Sequence, residues 1–207
     1  RAATEGAGAT EERCDICSEQ IDERHGHLVD LEQRRLLCAC RPCSLLFDRA
    51  GAGGHRIQAV PDRYRDLSEI AFETAAWEAL DIPVGVAFLF HNSQLGRIIA
   101  HYPSPAGATE TMLPLDAWGQ LVEHHPALSD LVADVEAVLT RTGTHRGPQS
   151  ATGQQRECYL VPIDICYELV GEVRRTWRGL DGGRESHEAI DAVFAKVRAR
   201  AGMPRHA

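Results

Sequence analysis

Lysine is all but missing from this chain. Lys196 is the only one, so arginine carries nearly all the positive charge, a bias to which no function attaches. Acidic side chains outnumber basic ones 30 to 22, for a net charge of −8. That balance argues against nucleic acid as a partner, because phosphates are neutralised by lysine and arginine. Arg24, Arg34, Arg35 and Arg41 lie close together but are interleaved with Asp15, Glu19, Asp22, Glu23, Asp30 and Glu32, so the patch is mixed. No run approaches the roughly 18 to 20 apolar residues of a membrane span. The first ten residues lack the apolar stretch of a secretory signal. Residues 1–12 are expected to form a disordered tail, and the protein is expected in the cytoplasm. The glycines follow neither the dinucleotide-binding spacing nor the phosphate-loop pattern with its lysine. No internal repeat is present.

What is present is cysteine, concentrated at one end. Five of the seven cysteines fall between Cys14 and Cys43. Cys14-Asp-Ile-Cys17 and Cys40-Arg-Pro-Cys43 are two C-x2-C pairs separated by 22 residues. Each pair can place two sulfurs on one metal from a tight turn. Together they supply the four thiolates of a tetrahedral zinc site or a rubredoxin-like iron site. A disulfide framework does not suit a chain expected in a reducing cytosol. A redox dithiol explains one C-x2-C pair better than two. Cys38 is surplus: it is expected as a small buried residue beside the metal, with replacement of Cys40 as a ligand as the alternative. His25 and His27 are not needed by a four-thiolate set and are expected on the surface of a hairpin. A closed site of this kind has no open position for substrate, so it stabilises a fold rather than catalysing.

Between the pairs, His27–Leu31 and Arg35–Cys38 alternate loosely about a turn at Glu32-Gln33, which predicts the β-hairpin of a zinc ribbon. Ser44–Phe47 reads as an apolar plug, and His55–Val60 as a strand. Further on, a helix is expected over 68–80 and strands over 84–90, 97–102 and 109–113. Next come a helix started by Asp116, a second helix over 128–141 with Leu131, Val132, Val135, Val138 and Leu139 on its apolar face, a polar loop over 142–156 and a strand over 158–161. Helices follow over 164–178, with Asp164 as its cap and Tyr167, Val170 and Trp177 on its inward side, and over 184–201, with Ile190, Phe194 and Val197 inward. The expected fold is α+β: a metal-binding ribbon over 13–60, then, over 61–207, an antiparallel sheet covered by helices.

No catalytic constellation assembles from sequence alone. His91 and His101 stand near the ends of two adjacent expected strands, with Ser104 and Glu110 following. They are the one region where an enzymatic site is conceivable, although Ser104 sits in no nucleophile elbow. His124 and His125 end an expected helix. Cys158 and Cys166 show no neighbouring base that would activate a nucleophile.

The strings CDIC…HLVDLEQRRLLCACRPCSLLFD, HYPSPAGATE and CYLVPIDICYELVGEVRRTWRGLDGG resemble one bacterial family of unknown function, encoded near uptake [NiFe]-hydrogenase genes. The resemblance spans Cys14 to about Ala201. It implies an accessory role beside a hydrogenase, in assembly, metal handling or electron transfer, with a protein partner. It supplies no catalytic residue. The expected function is therefore a metal-binding accessory protein with Cys14, Cys17, Cys40 and Cys43 on zinc. The alternatives are a rubredoxin-like iron carrier and an enzyme acting near His91, His101 and Ser104.

Overall fold

A computed structural model describes residues 12–48, 54, 56–69, 85–111, 122–123, 125–142, 156–179 and 182–202. The chain divides into two units, Arg1–Val60 and Pro61–Ala207, each with its own core. Both are built on antiparallel sheets, and the architecture is α+β.

In the first unit, β1 (Gly26–Asp30) pairs with β2 (Arg35–Ala39), and β3 (Ile57–Ala59) joins the free edge of β1. The hairpin turns where the sequence expects. Asp30 anchors the turn: its buried carboxylate accepts from the Gln33 amide at 3.0 Å and from Arg56 Nη2 at 3.1 Å. Those bonds, the Gln33 amide first, hold its pKa below the ordinary carboxylate value. Alternation sorts the hairpin's side chains. Leu28, Leu37 and Ala39 face a small core with Ile21, Phe47 and Ile57, whereas His27, Val29 and Cys38 occupy the opposite face. A short helix, α1 (Arg41–Leu46), follows β2. It corrects the expected apolar plug: Phe47 packs into the core, but Leu45 and Leu46 are exposed.

The second unit is a six-stranded sheet in the order β4-β9-β8-β5-β6-β7. Its strands are β4 (Arg65–Asp66), β5 (Val86–Asn92), β6 (Arg97–Ser104), β7 (Gly107–Thr111), β8 (Glu136–Thr142) and β9 (Arg156–Pro162). Two helices, α2 (Ile163–Thr176) and α3 (Gly183–Ala201), pack together; α2 lies against β6 to β9, and α3 against β4 and β9. The other face carries Leu89, Ile98, Val138 and Leu160, covered by Leu67, Leu128 and Leu131.

One expected helix is a strand. Residues 128–141 carry apolar side chains at spacings that suit a helix, yet the chain turns at residues 133–135 and then enters β8. Asp134 takes a left-handed φ of 65°, which breaks any helix there. β8 lies between β5 and β9 and is buried on both faces, so it shows no alternation to mark it as a strand. Val138 and Thr140 suit this buried strand environment.

Smaller departures occur in α2. Pro162 rather than Asp164 is its cap residue, and Asp164 lies in the first turn. Its inward stripe is Ile165, Cys166, Leu169, Val170 and Val173, while Tyr167, expected inward, is exposed. In α3 the expected inward residues Ile190, Phe194 and Val197 are buried. Most of the helix expected over 68–80, the helix from Asp116 and the loop over 142–156 lie outside the described residues.

Candidate metal centre

The two C-x2-C pairs are shaped by different backbone devices. At the first, the Ser18 amide donates to the Cys14 carbonyl at 2.8 Å and the Cys14 amide donates to the Glu19 carbonyl at 2.8 Å. Ser18 takes a left-handed φ of 64°, which curls the chain back after Cys17. This turn is clamped to the hairpin by Asp15. Its amide donates to the Cys38 carbonyl at 2.8 Å, and its Oδ2 accepts from the Cys38 amide at 2.7 Å. At the second pair, Cys40 is the cap of α1 and Cys43 lies in its first turn. Pro42 fits there because the amide it lacks would have no helical partner. Gly26 lets α1 approach β1: a Cβ at that position would meet Ser44 Cβ at 2.9 Å.

These devices bring the Sγ atoms of Cys14, Cys17, Cys40 and Cys43 within 4.8 Å of one another. Cys17 and Cys40 are 3.6 Å apart, far beyond a disulfide bond of about 2.05 Å. The spacing is close to the edge of a sulfur tetrahedron around zinc, about 3.8 Å for Zn–S bonds of about 2.3 Å. All seven cysteines are free thiols. Cys14, Cys40 and Cys43 are buried, and Cys17 is exposed.

The protonation energetics suit a cation. Burial works to raise the Cys14 pKa. Hydrogen bonds from the Cys40, Cys17 and Ile16 backbones and from the Cys17 thiol outweigh it and lower the pKa to about 6. Cys43 is pushed up, by burial first and then by its hydrogen bonds with Cys40, Cys17 and Cys14. Cys17 is also raised: a backbone hydrogen bond at Glu19 lowers it, but the Cys40 and Cys14 side chains prevail. Cys14 thus ionises readily, and Cys17 and Cys43 resist. Four adjacent thiolates become favourable around a positive ion.

The family comparison agrees with the span of the motifs. Residues 13–201 match the model of a family of unknown function, DUF5947. The chain belongs to the DUF5947 family. No curated protein and no solved structure matches it. In this DUF5947 protein, the remaining residues singled out by sequence do not converge. Phe88 pairs with His101 and Ile98 with His91, so the two histidines sit three positions apart along the β5–β6 ladder and on opposite faces of the sheet. His101 stacks against both Phe88 and Phe90, with ring centroids 5.4 and 5.6 Å away. Burial lowers its pKa, only partly offset by Glu110. Ser104 Oγ accepts from Thr109 Oγ1 at 2.9 Å and from the Ala106 amide at 3.2 Å, closing the β6–β7 turn. Glu110 lies 3.5 Å from Arg97. The register thus does not bring His91 and His101 together into the shared site that the sequence left as an alternative.

Cys158 and Cys166 belong to the core. Burial pushes the Cys158 thiol up to about 12 and Cys166 well above its ordinary value, the wrong direction for a nucleophile. His124 lies outside the described residues, and His125 precedes a short 3-10 turn, Pro126–Leu128. Among the described residues, no helix is long and apolar enough to cross a membrane.

Two arrangements escaped sequence reasoning. The buried Glu136 is held by a fork from Arg63, with Nε 2.7 Å from Oε1 and Nη2 2.5 Å from Oε2. Cys38 groups with His25 and His27. The first joins residues 73 apart in sequence and left no local signal. The second was marked by its residue types, but the strand register was needed to see it.

Proposed function

We propose that Cys14, Cys17, Cys40 and Cys43 hold one structural zinc ion on a ribbon-like unit. The protein then serves in the cytoplasm as a metal-binding accessory protein that engages a protein partner. The observation that carries this reading is the convergence of four free thiols from two C-x2-C turns, with sulfur spacing suited to a tetrahedral ion. A full set of four sulfur ligands leaves no position for substrate, so the ion stabilises the fold. The dispersal of His91, His101 and Ser104 counts against the enzymatic alternative that the sequence offered. A hydrogenase system as the source of the partner follows from the resemblance of the motif strings.

The exposure of Cys17 favours one other reading, a rubredoxin-like iron carrier, because it opens one edge of the sulfur set to an electron-transfer partner. Elemental analysis and the visible spectrum of natively purified protein decide between the two. Tightly held zinc in a colourless protein supports the structural reading; a red protein containing iron replaces it with the carrier. Cys17→Ser is expected to lose the ion and lower the melting temperature of the first unit. Full metal content with an unchanged melting temperature would overturn the ligand set. For the partner, affinity purification from cells expressing a hydrogenase should recover its subunits or assembly factors with the tagged chain. Recovery of the chain alone counts against that association.

A further inference from the structure

We propose that His25, His27 and Cys38 form a second metal site, separate from the four thiols, for a divalent ion of the zinc class. The site begins with strand register. His27 and Cys38 are directly opposed on the β1–β2 ladder, on the face turned away from the unit's core. His25 lies two residues before His27, and its ring meets that of His27 edge to face at 4.8 Å between centroids. One donor atom from each of the three residues lies within 4.8 Å of the other two. Around zinc, with Zn–N of about 2.0 Å and Zn–S of about 2.3 Å, such atoms stand about 3.3 to 3.5 Å apart, so a closure of at most about 1.5 Å is required.

His25 supplies the independent pointer. Its side chain is only 9% exposed. Nδ1 lies 2.7 Å from the Asp22 carbonyl oxygen, which can only accept, so Nδ1 carries the proton. In the neutral ring Nε2 is therefore a bare lone pair, and among the described residues it is buried with no hydrogen-bond partner. A buried acceptor left unpaired costs stability. A ring nitrogen oriented by a carbonyl bond on its opposite nitrogen is the arrangement that metal-bound imidazoles adopt. Cys38 is equally well positioned, because Asp15 bonds both its amide and its carbonyl.

The donor set defines the ligand class. Two imidazoles and a thiolate favour zinc, cobalt or nickel over magnesium or calcium. Three protein donors leave a fourth position for water, so this ion is expected to exchange more readily than one enclosed by four thiolates. Binding releases the Cys38 thiol proton to solvent. The proposal does not depend on which metal the four thiols hold.

The test uses the full chain, stripped of metal under reducing conditions and titrated with Co(II) and with Zn(II). Two ions per chain are expected. The tighter Co(II) ion should show intense sulfur charge-transfer absorption, and the weaker one the lesser absorption of a single thiolate. Cys38→Ser, His25→Ala and His27→Gln should each weaken the second ion at least tenfold and leave the first in place. Saturation at one ion in the unaltered chain, or two undiminished ions in all three variants, overturns the proposal. Loss of both ions in a folded Cys38→Ser also overturns it, because Cys38 would then belong to the first set. A Cys40→Ser variant keeps the two readings distinguishable: if it retains the tight ion, the four-thiol assignment fails instead. Should the variants not fold, cadmium-113 resonances of the unaltered chain decide, with one all-sulfur and one mixed nitrogen–sulfur signal expected, and a lone all-sulfur signal excluding the second site.

Discussion

Glu136 is a carboxylate with no solvent exposure at the start of a central strand, and Arg63 meets it with two parallel hydrogen bonds. The Val132 amide adds a third at 2.9 Å, and Arg63 Nη2 also donates to the Asp130 carbonyl at 2.7 Å. Removing the arginine would strand a buried charge, so Arg63→Ala should cost about 3–5 kcal/mol. Replacing both partners together should cost less than the sum of the single changes, and denaturant unfolding of the four variants measures that coupling. His101 makes a different prediction. It packs against two phenylalanine rings, and burial holds its pKa below 6.5. As pH falls through about 6.5, the unfolded chain therefore binds the proton before the folded one does, and stability declines. Above that range the effect vanishes. His101→Phe keeps a ring in the stack and removes the titration, so its stability should fall less than the parent's between pH 7 and pH 5. Equal slopes in denaturant titrations across that range would refute the assignment.

At the level of elements, β8 separates what the sequence could show from what it could not. The β1–β2 hairpin was legible because one face is buried and the other is not, which writes alternation into His27–Leu31 and Arg35–Cys38. The strand β8 is buried on both sides, and a short apolar run without alternation fits a helix as well as a strand. The mistaken helix treats Val132 and Leu139 as equal members of one buried stripe, whereas they differ sharply in the structure. Leu139 is fully buried between β5 and β9, and Val132 is 39% exposed just ahead of the preceding turn. Leu139→Ala should cost about 2–5 kcal/mol, and Val132→Ala no more than about 0.5 kcal/mol. Similar losses at the two positions in chemical denaturation would restore the helix. The candidate site was partly legible for the same reason as the hairpin. C-x2-C spacing is a local property, so the four thiols could be paired by counting. The grouping of Cys38 with His25 and His27 depends on which residue of β1 faces which residue of β2, and counting cannot supply that. Alternation would also place Cys38 and Cys40 on one side of a continuous strand. β2 instead ends at Ala39, and Cys40 opens a helix.

Across the whole molecule, the two cores draw on separate residues: Leu28, Leu37 and the thiols in one, Leu89, Val138 and Leu160 in the other. Their resources for stability are unequal. The second unit buries a six-stranded sheet and two packed helices, a core sufficient for an ordinary domain. The first has three short strands, and half of its six buried core residues are the proposed ligands Cys14, Cys40 and Cys43. A domain of that size generally depends on a staple. Structural zinc in small peptides contributes about 10–16 kcal/mol, whereas the net stability of whole domains is only about 5–15 kcal/mol. Loss of the ion should therefore unfold the first unit outright. Because α2, α3 and the large sheet contain none of these thiols, the second unit should keep its structure. Calorimetry with a strong chelator under reducing conditions is expected to abolish or lower one transition and leave the other within a degree or two of its starting temperature. Amide exchange should locate the loss of protection in Leu28, Leu37 and their neighbours rather than in Val138 and Leu160. A chelator that moves both transitions equally would show that the ion supports the molecule as one cooperative body, and one that moves neither would show that the four thiols stabilise their unit without a metal.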